Sequence, residues 1–221
     1  MYILCITDIH GEVDLLYELF GEKEFFTGID LIIFAGDITH FGGYKQAKII
    51  LQPALESGYK ILAIPGNCDN EGVAEFLDEA GINLHGRGIV LDDTGFMGVG
   101  GSNFTPHSTP TEYSEQQIAA FLDRGFRDIA ACKRKVLISH PPPKDTALDQ
   151  IRPGVHVGSS AVREFLIKNE IIFCLCGHIH ESTGRCRVGT AECLNPGAFR
   201  EGKYKVVEFC GKELKIVRSE Q

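Results

Sequence analysis

Four short segments carry side chains of the kind that hold metal ions: Asp8-Ile9-His10, Gly36-Asp37, Gly66-Asn67-Cys68-Asp69 and Gly177-His178-Ile179-His180. A fifth, Ser139-His140-Pro141, adds another imidazole. Together Asp8, His10, Asp37, Asn67, His140, His178 and His180 offer seven oxygen and nitrogen donors. Taken singly, each has an ordinary explanation. Asp8 could cap a helix, Asp37 could follow Gly36 in a turn, and His140 could sit in a rigid proline-rich loop. But each segment directly follows an apolar, β-branched run. Side chains with one chemistry, all at the carboxyl ends of predicted strands, form a specific signal, because ligands collect at that edge of open α/β sheets.

Donors of this kind suit two divalent ions sharing one carboxylate. Asp37 is the candidate bridge. Asp8, His10 and His180 complete one shell, and Asn67, His140 and His178 the other. Nitrogen and oxygen ligands favour Mn²⁺, with Fe²⁺, Ni²⁺, Co²⁺ or Zn²⁺ as alternatives, over Ca²⁺. Two such ions carry four positive charges, from which Asp8, Asp37 and a bridging hydroxide subtract three. The pocket floor is left cationic and suited to an anionic phosphoester. A dinuclear centre also lowers the pKa of bound water from about 15.7 to about 7 and stabilises both oxygens of an in-line displacement. Direct attack by hydroxide on phosphorus is the expected chemistry.

The elements needed to place these residues can be read from periodicity. Residues 2–7, 31–35 and 61–64 read as buried strands, and residues 13–20, 44–56 and 73–80 as helices. Pro53 should kink the second helix or mark a new start. Residues 88–93 and 96–100 read as two strands with a turn at 93–95. A long loop follows over 101–113. Ser114-Glu115-Gln116-Gln117 has the pattern of a capping box and opens a helix toward residue 131. A strand at 136–139, a second long loop over 140–158, a helix capped by Ser159 or Ser160, and a strand at 171–176 come next. Residues 185–217 read as strands with turns at Gly189, Asn195-Pro196-Gly197 and Gly211. Two β-sheets packed face to face with helices outside both would bury these runs: an α/β fold in four αββα layers, built as a single domain over residues 1–221. Long loops are uncommon in compact domains unless functional, so both are candidate walls of a substrate pocket.

Composition agrees. A chain of 221 residues with 43% hydrophobic content can bury a substantial core. The net charge of −8 argues against extended nucleic-acid binding and against docking on an anionic membrane. The chain opens with no basic start or long apolar segment, so a cytoplasmic protein is expected. Its eight cysteines are expected to be reduced core residues. Cys174 and Cys176, inside a strand, are not expected to join His178 and His180 in a zinc site.

The order Asp-x-His, Gly-Asp, Gly-Asn-x-Asp, His, Gly-His-x-His resembles that of the calcineurin-like metallophosphoesterases. The likeness runs from Asp8 to His180, and Asn195-Pro196-Gly197 is similar to a further family turn. The resemblance implies the αββα sandwich, a dinuclear centre and phosphoester hydrolysis, with the ligand roles given above. It also implies that Asn67, Cys68, Asp69 and His178 form the catalytic set. The Gly-Asn-Cys-Asp variant resembles the small prokaryotic phosphodiesterase branch. The family's usual residue at Cys68 is a His that helps at the leaving-group oxygen. Protein serine/threonine phosphatases usually carry Arg near the second and third motifs, where this chain has Ile38-Thr39-His40 and Pro65.

A thiol, with an ordinary pKa near about 8.5, is a poor substitute acid. Diesters and esters with acidic leaving groups are therefore the expected substrates. Asn67, His178, His40 and His156 are the candidate substrate-binding residues. His85 and His107 are expected in surface loops, and Arg152 and Arg163 on the solvated surface. The competing readings are a phosphomonoesterase acting on a small metabolite and a non-catalytic scaffold. The retained histidines argue against the scaffold. The partner expected is a small phosphoester; assembly into a homo-oligomer stays open.

Overall fold

The carboxyl ends of the parallel strands meet at one edge of the molecule, and the fold is built to hold them there. The computed structural model describes residues 1–22, 24–210 and 213–220. In chain order the elements are β1 (Tyr2–Ile6), α1 (Val13–Gly21), β2 (Leu31–Ala35), α2 (Tyr44–Glu56), β3 (Lys60–Ile64), α3 (Glu71–Glu79), β4 (Gly88–Leu91), β5 (Thr94–Val99), β6 (Ser102–Asn103) and β7 (Glu112–Tyr113). Then follow α4 (Glu115–Ile129), β8 (Arg134–Ser139), β9 (Gln150–Arg152), β10 (Val155–His156), α5 (Ser160–Lys168), β11 (Phe173–Leu175), β12 (Gly184–Val188), β13 (Ala191–Asn195), β14 (Tyr204–Cys210) and β15 (Glu213–Glu220).

Of the two large sheets one has the order β15-β14-β1-β2-β3, and the other β12-β13-β11-β8-β5-β4, while β6 pairs with β7 and β9 with β10 in two-stranded sheets. Inside the first sheet β1, β2 and β3 are parallel; inside the second, β13, β11, β8 and β5 are. The outer strands run antiparallel to their neighbours, so both sheets are mixed. Register brings the strand ends level: Ala35 pairs with Ile64, and Val99 with Ser139.

Alternation along each strand makes the four layers. Ile3, Cys5, Leu31, Ile33 and Ala35 meet Phe96, Val136, Ile138, Phe173 and Leu175 between the sheets. The intervening Leu4, Ile6, Ile32 and Phe34 face Leu16, Leu51, Val73 and Phe76 of α1, α2 and α3. On the far side Leu137 and Cys174 face Ile118 and Leu122 of α4 and Val162 and Phe165 of α5. The expected αββα order is therefore present.

Several local expectations change. Helix α2 runs through Pro53 to Glu56, because Pro53 and Ala54 are buried and the break falls in the last turns. The first hairpin turns one residue early: Asp92 takes the left-handed conformation and buried Thr94 already pairs with Leu91. Helix α3 starts early because the Asn70 side chain accepts from the Gly72 amide (3.0 Å). The expected 171–176 strand shortens to β11. Ser114 and Gln117 form the expected reciprocal cap of α4. Gly211 lies outside the described residues. Seven cysteines are free thiols among the described residues. No helix among them is long and apolar enough to cross a membrane.

Candidate metal centre

Four of the donors occupy tight turns with unusual backbone. Asp8, His10 and Asp37 all have positive φ (55°, 48° and 49°), as does His178 (69°). Non-glycine residues adopt this region at a cost, and such residues cluster at functional sites. The turn after β1 is laced to the turn after β2: the amides of Asp8, His10 and Gly11 donate to the carbonyls of Gly36, Asp37 and Ile38 at 2.8–3.1 Å. The motif glycines are there for proximity. A Cβ on Gly66 would strike the Asp37 carboxylate, and one on Gly177 would strike the side chains of Thr7 and Asp8.

Sheet two reaches across to sheet one at this edge. The His178 amide donates to both Asp8 carboxylate oxygens (3.0 and 3.2 Å), and the Gly177 amide to the His140 carbonyl (3.1 Å). His140 Nδ1 lies 2.8 Å from the Ala35 carbonyl, so it carries the proton, and Nε2 points at Asn67 Oδ1 (3.0 Å) and Asp37 Oδ1 (3.4 Å). His180 Nε2 is 3.2 Å from Asp8 Oδ1 and 3.3 Å from His10 Nε2, which lies 3.5 Å from Asp37 Oδ2. Two groups of ligand atoms within mutual reach are Asp8, His10 and His180, and Asp37, His140 and His178; a third, His10, Asp37 and Cys68, shares a residue with each. Asn67 joins the second through His140, and Asp37 stands beside both. All seven side chains named from sequence converge at this edge.

Electrostatics show what such a cluster suits. Asp8 and Asp37 are 1% and 2% exposed, and among the described residues their ion-pair partners are histidines only. Burial opposes both carboxylates, yet the surrounding imidazoles hold each below its ordinary range. Burial likewise opposes a charged His140, yet Asp37 holds that ring up to about 9. Burial, then His140, pushes His178 down to about 4. Two buried carboxylates faced by four imidazoles, of which His140 and His180 are raised against burial by the neighbouring carboxylates, make a set that divalent cations fit, and ligand deprotonation accompanies metal uptake.

Asp69 differs from expectation. Its two oxygens accept from the amides of Ile38 (3.0 Å), Thr39 (2.7 Å) and Gly66 (2.8 Å) and from the Thr39 hydroxyl (2.7 Å). It ties the second motif to the third and so positions Asp37 and Asn67 rather than facing the cluster. Burial, then Asp37, pushes it up to about 6 against those donors. Cys68 is buried beside Asp37, whose Oδ1 accepts the Cys68 amide (2.7 Å). Burial, then the Asp37 charge, raises its thiol far above the ordinary value, so the sulfur keeps its proton. Cys174 and Cys176 face the helices of the second sheet, and among the described residues they share no ligand group with His178 or His180.

Both long loops line a cavity of about 430 Å³ that reaches His178, with Phe104, His107, Lys144, Ile151 and His156 in its walls. His156 is anchored there: Nδ1 lies 2.6 Å from buried Asp149, which also accepts three loop amides. His40 is exposed, with its ring centroid 5.6 Å from that of His10. His107 is exposed as expected, and it lines the cavity. His85 is not a surface loop residue: it packs against Tyr113 and Phe121, and its Nδ1 accepts the Gly100 amide (2.9 Å). Arg152 is exposed, while Arg163 donates to the carbonyls of Lys144 and Asp145 and secures the second loop. Phe104 and Lys144, absent from the sequence candidates, stand in loops without periodic pattern, and no local signal marks them.

Residues 1–182 match the calcineurin-like phosphoesterase family. An uncharacterized protein of Methanocaldococcus jannaschii is 36% identical over 89% of this chain and 88% of its own. A probable glycerophosphodiester phosphodiesterase of Arcobacter nitrofigilis is 26% identical over 68% of this chain and 56% of its own. Among solved structures, a Thermus thermophilus protein superposes with a TM-score of 0.76 at 18% identity, covering 97% of both chains. A dimetal phosphatase from Danio rerio superposes at 0.61 with 12% identity, covering 95% of this chain and 92% of the other. Identities this low establish likeness of fold.

Proposed function

Because the chain belongs to the calcineurin-like phosphoesterase family, we propose that it is a metal-dependent phosphodiesterase with a dinuclear centre. The observation that carries this reading is the convergence of two ligand groups around Asp37 at the joined edge of both sheets. Asp8, His10 and His180 would hold one ion, Asn67, His140 and His178 the other, and Asp37 both. Mn²⁺ is the ion we favour. When bound, such a pair supplies an activated water near neutral pH and positive charge for the phosphoryl oxygens.

The protein's own groups do the rest. Asp69 keeps the Asp37 and Asn67 turns in register. Ala35 fixes the His140 tautomer so that Nε2 stays turned inward. Phe104 and Ile151, 69% and 44% exposed, offer apolar surface to the organic part of an ester, and Lys144 offers a cation to its phosphate. Cys68 cannot protonate a departing alkoxide efficiently, since its proton is held tightly and its reach is short. Diesters and aryl esters need little such help. The free thiols fit a reducing compartment, and we place the chain in the cytoplasm.

A panel of phosphoesters tests the reading. Aryl diesters are expected to turn over at least about 100-fold faster than unactivated alkyl monoesters, the scale of general-acid catalysis. Comparable rates on alkyl monoesters would overturn the assignment and favour a phosphomonoesterase.

A further inference from the structure

Asn67 sits at the centre of a hydrogen-bond chain that leaves the metal-binding cluster. Its side-chain nitrogen donates to Thr109 Oγ1 at 3.1 Å. The Thr109 hydroxyl donates to Glu112 Oε1 at 2.6 Å. That same oxygen accepts the Thr109 amide (2.7 Å) and the Thr105 hydroxyl (2.6 Å). The loop is also fastened to the backbone of the third motif: the Thr111 amide donates to the Asn67 carbonyl (3.1 Å), and its hydroxyl donates to the Asp69 carbonyl.

The direction of this chain is forced. An ionised carboxylate only accepts, so Thr109 must spend its single hydroxyl proton on Glu112. Thr109 Oγ1 can then only accept, and it takes the amide nitrogen of Asn67. The Asn67 oxygen must therefore face inward, where it lies 3.0 Å from His140 Nε2. The same nitrogen also makes a long contact with Cys68 Sγ (3.5 Å), a weak acceptor, so Thr109 is the strong partner that tells the two ends of the amide apart, and only one end has a lone pair to give a cation. A carboxylate at the end of the chain also draws the N–H bond outward and increases electron density on the inward oxygen.

We infer that Thr109 and Glu112 are positioning residues that hold the Asn67 amide oxygen toward the ion shared by Asp37, His140 and His178. They belong to the first long loop, which also carries Phe104 and His107 into the cavity. The loop that shapes the substrate wall thus also sets the affinity of one metal position. This rests on the reading of Asn67 as a ligand in the proposed centre.

Calorimetric titration of the metal-free chain with Mn²⁺ tests it, with no turnover required. Wild type is expected to take up two ions in separable steps. In Thr109→Val the step assigned to the Asn67 position should weaken about 10- to 100-fold, the usual cost of losing an outer-sphere partner, while the other is unchanged. Thr109→Ser, which keeps the hydroxyl, should bind as wild type does. Glu112→Gln, which keeps an acceptor but not the charge, should fall between them and serves as the test if Thr109→Val does not fold. Equal weakening of both steps, no weakening in Thr109→Val and Glu112→Gln, or failure of Thr109→Ser to rescue would overturn the positioning role alone. A wild-type chain that takes up no second ion would overturn the role together with the dinuclear reading.

Discussion

The two sheets contribute to the same edge in different ways. Sheet one ends in short turns whose backbones are laced together, and it supplies Asp8, His10, Asp37 and Asn67 within a few residues of β1, β2 and β3. Sheet two supplies His140 just beyond β8, and His178 and His180 just beyond β11, but it is also flanked by the two long loops that wall the cavity. The floor is held by buried carboxylates that bind backbone, above all Asp69. The walls are held by side chains that bind loops: Glu112 in the first, Asp149 in the second, and His85 at the root of the first. The floor gathers the candidate metal donors, and the walls enclose the cavity beside them.

The sharpest way to break this contrast is to add one methyl group to each region. Gly66→Ala places a carbon against Asp37. It should cost about 3 kcal/mol or more by overpacking and abolish metal uptake, read by thermal unfolding and metal counting. Gly154→Ala, in the second wall, meets open space and suffers only its positive φ of 77°. That variant should lose about 1 kcal/mol and keep its metal. Similar losses in both would mean that floor and walls are equally tolerant.

The second difference is in response to acid. Burial, then Arg124 and Arg87, pushes His85 down to about 4. The unfolded chain takes up that proton near about 6.5, so the stability His85 provides is complete above about 6.5 and is lost as pH falls toward 4. The loss should be on the order of 2 kcal/mol, allowing for partial exposure. Denaturant titrations at several pH values should show the decline in wild type and a flatter profile in His85→Gln. An equal slope in both would remove His85 as the acid-sensitive anchor of the first wall.

The smallest expected effect separates chemistry from shape. Cys68→His places an imidazole beside Asp37 and should raise turnover of alkyl esters about tenfold, below the usual general-acid range of about 100-fold or more because no neighbour is arranged to orient the new ring, with little change for aryl diesters. An unchanged substrate profile would take Cys68 out of the explanation for ester preference.

The donors at the strand ends and the two long loops were readable in the chain, but the side chains that hold those loops were not, for physical reasons. Asp8, Asp37, Asn67, His140 and His178 each follow a buried strand by a few residues, so the continuous apolar, β-branched runs located them. Asp69 was visible, but its structural part was not: its place in the motif suggested chemistry, while three backbone amides and the Thr39 hydroxyl occupy its oxygens. Glu112 and Asp149 act through loop amides that no spacing rule encodes. His85 looked like a loop residue because the rings that bury it, Tyr113 and Phe121, lie far along the chain. The helix through Pro53 was obscured because burial outweighs a local breaker near a helix end.

Metal content and hydrolysis measured together on wild type and Asp37→Asn probe the shared carboxylate most directly. About two divalent ions per wild-type chain are expected, with diester hydrolysis lost on chelation and regained with Mn²⁺. Asp37→Asn should hold fewer ions and lose more than about 100-fold in rate. Full hydrolysis after chelation, or an Asp37→Asn protein with two ions and the wild-type rate, would contradict a centre built around Asp37.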